Sequence, residues 1–488
     1  MWKYACIISY HPSKYTKQAK VSGKMLNIKK FVGNKKFYIM VLTVAVPIMI
    51  QNGITNFVGL LNNIMVGRIG TNQMTGVAIV NQLIFVFNIC IFGATSGAGI
   101  FGAQFFGCKN FEGLRDTFRF KYVLCGFMCI IAGLLFVFFG KDLISLYLHA
   151  GTDSASAELA LKYGYQYFSL IIFSIIPFVI VQIYSSTLRE TGITLVPMVS
   201  GITAVTVNLL LNYVLIYGKL GFPALGVSGA AIATFCSRIV EMSIIVLWTH
   251  KNKERNPFVT GVYKTFRIPL SLAKKILVKG SPLIANEALW ACGIAALTQC
   301  YSLRGLEVVA ALNISSTISN VFNIVYIAMG SSISILIGQL LGAGKMEEAK
   351  DTDTKLIFFS VVSCIFLGIC LALISSVFPQ NYNTSDSIKN MASGFIRVAA
   401  LCMPLSAFMH ACYFTIRSGG NTVVTFFFDS VFVWVVSLPC AFFLSRYTNI
   451  PIMHLYLACQ LLDIIKCTIG FVLVKKGIWL NNIVRNDD

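Results

Sequence analysis

The chain has 488 residues, 56% hydrophobic and only 12% charged, with a mean hydropathy of +0.76. Soluble surfaces need more charge than that, so a water-soluble domain is excluded. The formal net charge of +20 would suit nucleic acid, but 29 of the 39 Lys and Arg fall on segments that share one side of the predicted membrane, and seven fall in the alternate loops. This is the positive-inside asymmetry, which predicts cytoplasmic N and C termini. Topology accounts for the charge, and no nucleic-acid partner is expected.

Residues 1–36 form a basic cytoplasmic tail. Its apolar run, 4–10, is too short for a signal peptide, and either Met1 or Met25 can serve as the start. Continuous apolar runs then exceed the ~20 residues a spanning helix needs, without the two-residue alternation of barrel strands. Six predicted spans, 37–63, 76–106, 118–139, 159–188, 195–217 and 227–249, make an N-terminal lobe over 37–249. A basic linker follows at 250–274. Six more, 275–301, 308–341, 356–378, 388–416, 423–444 and 451–474, make a C-terminal lobe over 275–474, and 475–488 is a cytoplasmic tail. The expected class is an all-α polytopic membrane protein of twelve transmembrane helices. The 15 cysteines are scattered, mostly inside the spans, with no spacing that suits a metal; they read as small buried hydrophobes.

The two lobes repeat each other. A shift of 235 positions places Pro47 on Pro282, 86–89 (VFNI) on 321–324 (VFNI), Gln104 on Gln339, Gly107 on Gly342 and Asp116 on Asp351. A shift of 228 places Arg189, Gly192 and Thr194 on Arg417, Gly420 and Thr422. Pro and amides are uncommon inside spans, so these matches are more than leucine on leucine. Six spans per copy give both halves one orientation, a parallel repeat that places a substrate between the lobes.

The stretch 212–234, NYVLIYGKLGFPALGVSGAAIAT, resembles the multidrug and toxic compound extrusion (MATE) family: a Gly-Pro-rich outer turn followed by a small-residue helix. So do 60–70, 188–194 (LRETGIT), 282–290 (PLIANEALW), 338–344 (GQLLGAG) and 416–421 (IRSGGN), and the similarity covers about residues 37–475. The resemblance implies export of organic compounds against an inward cation, coupled at an acid on span one or at acids in the second half. Where the family often has the span-one acid, this chain has Asn62, and an amide cannot exchange a proton. Another family acid is replaced by Asn421.

Charges inside the spans carry the remaining information, since each is costly there. Arg238 with Glu241, and Asp463 with Lys466, are spaced i, i+3 and can pair locally. Glu287, Asp429 and Arg397 have no opposite charge within four residues and need partners from other helices, water or an ion. At ~1.5 Å per residue, Glu287 lies roughly 16 Å and Asp429 roughly 12 Å from the inner span ends. One reading is a buried ion pair with Arg397; the other is cation coupling at Glu287 and Asp429 through proton exchange or sodium binding. Asn52, the repeat counterpart of Glu287, joins Asn62, Asn286, Arg397 and Asp463 as candidate cavity residues. Arg189 and Arg417 read as interface anchors at span ends, and His410 as a hydrogen-bonded packing residue.

The expected function is a secondary antiporter, working as a monomer in the plasma membrane of a bacterium and exporting organic, often cationic and amphipathic, compounds in exchange for sodium or protons. No cofactor is implied beyond that coupling ion. No G-x-x-x-x-G-K-[ST] pattern is present and no ATPase subunit is called for. The alternative is a flippase for a lipid-linked or polysaccharide precursor. A membrane-embedded enzyme lacks any His/acid pair, nucleophile elbow or metal motif to support it.

Overall fold

The structure, a computed structural model, describes residues 30–146 and 154–485. The tail before residue 30, with Met1 and Met25, and His149 lie outside the described residues. Twelve helices among the described residues are long and apolar enough to cross a membrane, and no strand occurs among them. The N-terminal lobe holds α1 (Lys35–Gly67), α2 (Thr71–Gly107), α3 (Phe111–Ser145), α4 (Ala155–Glu190), α5 (Leu195–Tyr217) and α6 (Val227–Lys251). The C-terminal lobe holds α7 (Leu270–Ser302), α8 (Leu306–Gly342), α9 (Met346–Ile374), α10 (Asp386–Ser418), α11 (Thr422–Tyr447) and α12 (Ile452–Lys475).

Several helices outrun their apolar stretch because polar first turns continue them into the interface. In α3 the Asn110 side chain accepts from Gly113 N at 2.9 Å, capping a helix that starts well before its apolar run. Three spans are irregular. α4 passes through a 3-10 turn at Ile172–Ser174, just ahead of Pro177, which supplies no N–H to that turn. α11 is wound as π-helix over Phe427–Val431 and Val433–Ser437, ahead of Pro439. α12 tightens at Leu462, which keeps helical dihedrals (φ −58°, ψ −25°) and whose carbonyl accepts from Ile465 N at 3.0 Å, between Ile452–Leu461 and Asp463–Lys475.

Corresponding helices α3 and α9 are among those with the most exposed apolar faces. Phe127, Ile130, Val137 and Phe138 on one, and Phe366, Ile369 and Leu373 on the other, are exposed apolar side chains, which in a bilayer face hydrocarbon at no cost.

The lobes meet at the end of the bundle where α1 begins and the 250–274 linker lies. Gly97 of α2 abuts Gly280 of α7 so closely that a Cβ on Gly97 would sit 2.6 Å from the Gly280 Cα. Val41, Val44, Ala45 and Ile48 of α1 pack with Ala328, Met329 and Ile333 of α8. Near the pseudo-twofold axis, a Cβ on Gly107 would collide with the Gln339 backbone and one on Gly342 with the Gln104 backbone. The Gln and Gly pairs that the repeat aligns thus contact each other reciprocally, as an isologous interface requires.

Two segments read as a tether and a tail are packed structure. In the linker, Phe258, Val259 and Val262 are buried among Phe118, Tyr184 and Ile245. Arg119, paired with Asp116 at 2.9 Å, donates to the carbonyls of Val262 and Gly261 at 2.9 Å each. The segment after α12 wedges into the seam: Trp479 is buried with α1 and α8, while Ile483 and Val484 pack on the N-terminal lobe's core. Gln104 donates to the carbonyls of Ser418 (3.0 Å) and Asn481 (3.1 Å) and accepts from Ile483 N (2.9 Å).

Candidate functional site

In the C-terminal lobe, Asn286 of α7 is buried at 2% exposure and organises a polar cluster against α11. Its Nδ2 donates to Asp429 Oδ2 at 3.1 Å and to the Tyr413 hydroxyl at 3.3 Å. The Ser430 hydroxyl lies 2.7 Å from the Asn286 carbonyl and 2.8 Å from its Oδ1. The second Asp429 oxygen meets Lys466 Nζ of α12 at 3.1 Å. The π-helical winding around Asp429 coincides with this cluster, a common place for such irregularity.

Glu287, the next residue on α7, is half-buried. Among the described residues it takes part in no hydrogen bond or ion pair. Arg417 is buried, its guanidinium over the rings of Tyr413 (5.9 Å) and Phe414 (5.4 Å). Asp463 is half-buried and likewise has no hydrogen bond or ion pair among the described residues. His410 Nδ1–H donates to the Ser406 carbonyl at 3.0 Å, and the ring packs on Tyr326.

The corresponding part of the N-terminal lobe is built mainly of amides. Asn212 Nδ2 donates to Asn62 Oδ1 at 2.8 Å and to Asn208 Oδ1 at 3.1 Å, and Asn208 reaches Thr234 at 3.3 Å. Asn62, Asn212, Asn81, Tyr167 and Thr234 line a cavity of about 340 Å³. A second, of about 250 Å³, adjoins it through Asn81 and Tyr167 and reaches Arg238. Arg238 pairs with Glu241 at 2.7 Å, the local pair its spacing suggests.

The structure therefore brings Asn286, Asp429 and Lys466 together, with Glu287 beside them, and separately gathers Asn62 with Asn212. Asn52 is half-buried on α1, and its neighbour Gln51 accepts from Arg189 at 2.6 Å. Arg397 stands apart: it is exposed and donates to the hydroxyls of Ser375 (3.2 Å) and Ser376 (2.8 Å) just past α9. It pairs with neither Glu287 nor Asp429. The i, i+3 pairing of Asp463 with Lys466 is not formed either, because the α11 carboxylate lies closer to the ammonium. Nor is Arg417 an interface anchor: it is buried over Tyr413 and Phe414 of its own helix.

Sequence reasoning missed two further buried polar contacts. Lys121 of α3, fully buried, pairs with Glu190 of α4 at 2.5 Å and also reaches Thr187 at 2.9 Å. Asp353 accepts from Thr415 Oγ1 at 2.6 Å. Both lie near span ends and read as interfacial charge, and their partners are 69 and 62 residues away in sequence. No local spacing rule could find them.

A two-lobed bundle with ionisable groups inside its spans defines a multi-pass membrane transporter. The family model MatE matches residues 47–214 and 282–443, one match in each lobe. The chain belongs to the MatE family. It is 23% identical over 444 residues to a probable multidrug resistance protein NorM of Thermotoga maritima, covering 90% of this chain and 92% of that one. It is 24% identical over 417 residues to a probable multidrug resistance protein YoeA of Bacillus subtilis, covering 84% and 88%. The fold is shared with a crystal structure of a mutant of the Vibrio cholerae MATE transporter VcmN, at a TM-score of 0.81 and 15% identity over 92% of this chain and 98% of that one.

Proposed function

We propose that the protein is a secondary antiporter of a bacterial plasma membrane that exports organic, often cationic and amphipathic, compounds in exchange for sodium or protons. The linker end faces the cytoplasm, the lobes rock about their seam, and the chain acts as a monomer. The observation that carries this reading is the cluster at Asp429 and Glu287: two acids at membrane depth, one held by Asn286 and Lys466 and the other without a fixed partner among the described residues. A desolvated carboxylate that can exchange a cation supplies the coupling site. Antiport follows if drug and coupling ion take these acids in turn, each favouring a different lobe arrangement. The surplus of acid over base favours cationic cargo over a lipid-linked anion.

The test is ethidium efflux from vesicles under imposed sodium or proton gradients, with Glu287→Gln and Asp429→Asn beside the wild type. Each substitution should cut gradient-driven export by roughly tenfold or more, the size of a typical coupling free energy, and the gradient that drives the wild type identifies the ion. Undiminished export by both variants would overturn the assignment. Movement of a lipid-linked sugar without any organic cation would establish the flippase instead.

A further inference from the structure

The ammonium of Lys466 is more than the counter-ion of Asp429. It also lies over two rings of α11, 5.7 Å from the centroid of Phe428 and 5.5 Å from that of Phe432. One carboxylate and two aromatic faces around a nitrogen cation are the chemistry that recognises an alkylammonium ligand. Here a side chain of the protein fills that place. Lys466 is 3% exposed, but the Asp429 side chain keeps 19% of its surface accessible, so an incoming cation can reach the carboxylate.

A second acid stands ready for the lysine. Asp463 lies three residues before Lys466 on α12, within reach of the same flexible side chain, and is engaged in no hydrogen bond or ion pair among the described residues. The backbone is irregular at both places: α12 tightens by an i, i+3 hydrogen bond at Leu462, beside Asp463, and α11 is π-helical through Phe428, Asp429 and part of the Phe432 turn. We propose that Lys466 is a tethered ammonium that occupies an alkylammonium cage formed by Phe428, Asp429 and Phe432, and that it moves to Asp463 when an organic ammonium substrate takes the cage. This rests on the export reading and adds a specificity element to it. The lysine keeps Asp429 neutralised between turnovers, and only a cation that outcompetes a built-in ammonium gains entry. Asp463 spares the displaced charge from being buried alone, which would be costly.

The experiment is equilibrium binding of ethidium to the full chain in lipid nanodiscs, read by fluorescence anisotropy. Lys466→Met removes the resident competitor and should tighten binding roughly tenfold, as expected when a competing occupied state is removed. Asp463→Asn should weaken binding roughly tenfold while Lys466 is present and have no effect in the Lys466→Met background, a coupling that a passive structural pair would not show. Should Lys466→Met fail to fold, judged by its thermal unfolding, Asp463→Asn alone still decides: unchanged affinity overturns the proposal. Binding by Lys466→Met no tighter than wild type also overturns it, and if the wild type still exports ethidium under a gradient, the export reading survives. If neither protein binds ethidium and the wild type exports none, the export reading fails and the lysine proposal with it.

Discussion

The two lobes share a helix plan but place their charge differently. In the N-terminal lobe one cavity is lined by amides and hydroxyls beside apolar side chains, its neighbour reaches the Arg238–Glu241 pair, and the fully buried ion pair, Lys121 with Glu190, sits toward the seam, where the Glu190 carboxylate packs against Gly99 and Gly102 of α2. In the C-terminal lobe the ionisable groups converge at the depth where α7, α10, α11 and α12 meet, and two of the acids have no fixed partner among the described residues. A paired, enclosed charge braces a scaffold. Acids without a fixed partner beside one ammonium leave room, on the proposed reading, for another cation. Under the proposed antiport, the N-terminal lobe would supply shape and the C-terminal lobe coupling.

The largest expected effect comes from breaking the N-terminal pair. Lys121→Met strands Glu190 in the interior and should cost about 3–5 kcal/mol, seen as a lowered unfolding midpoint. Replacing both partners by Met should recover most of that loss and leave gradient-driven export intact. The matching experiment in the other lobe should behave in the opposite way. Asp429→Asn should cost less, about 1.5–3 kcal/mol, because Asp429 is partly exposed and Lys466 has Asp463 within reach. The double change Asp429→Asn with Lys466→Met should be stable but inactive in export. An active C-terminal double variant would remove the functional contrast between the lobes.

The seam tests whether the lobes are equal where the repeat says they should be. Gly107→Ala and Gly342→Ala each drive a methyl into the partner's backbone. Each should cost about 1–3 kcal/mol of overpacking and shift the lobes toward separation at the linker end. Spin-label distances across the seam would register this. Similar shifts from both are expected from the reciprocal contacts. A markedly smaller response from Gly342→Ala would mean that the segment around Trp479 and Asn481, which lies beside it, holds the seam in place of the helices.

Twelve helices, two lobes and their parallel relation were legible in the sequence because apolar length and matched Pro, Asn and Gln positions are local facts. The family was legible too, from the Gly-Pro turn before α6. What the sequence hid were partners. Lys466 reads as the mate of Asp463 by spacing, yet the packing of α11 on α12 gives it to Asp429. Arg397 reads as the cation that Glu287 needs, yet it lies by Ser375 and Ser376. The docking of the linker onto Phe118 and Tyr184 was equally hidden, since a basic, hydrophilic stretch with three buried apolar residues reads as a tether. In each case the deciding contact joins different helices or segments, and a buried charge chooses its partner by three-dimensional distance.

The smallest effect probes the neutral side of the contrast most directly. Asn212→Ala removes the donor that holds Asn62 and Asn208 and also a buried Oδ1 that has no hydrogen-bond partner of its own among the described residues. The first loss is two neutral hydrogen bonds at the edge of a cavity; the second relieves an unsatisfied acceptor. The net cost should be about 1 kcal/mol or less. Gradient-driven ethidium export should stay within about threefold of wild type, since 1.4 kcal/mol corresponds to a tenfold change. That outcome, set beside loss of export in Glu287→Gln, would locate coupling in one lobe. If Asn212→Ala instead abolished gradient dependence, the amide cluster would be an ion pathway, and the division of labour between the lobes would have to be reversed.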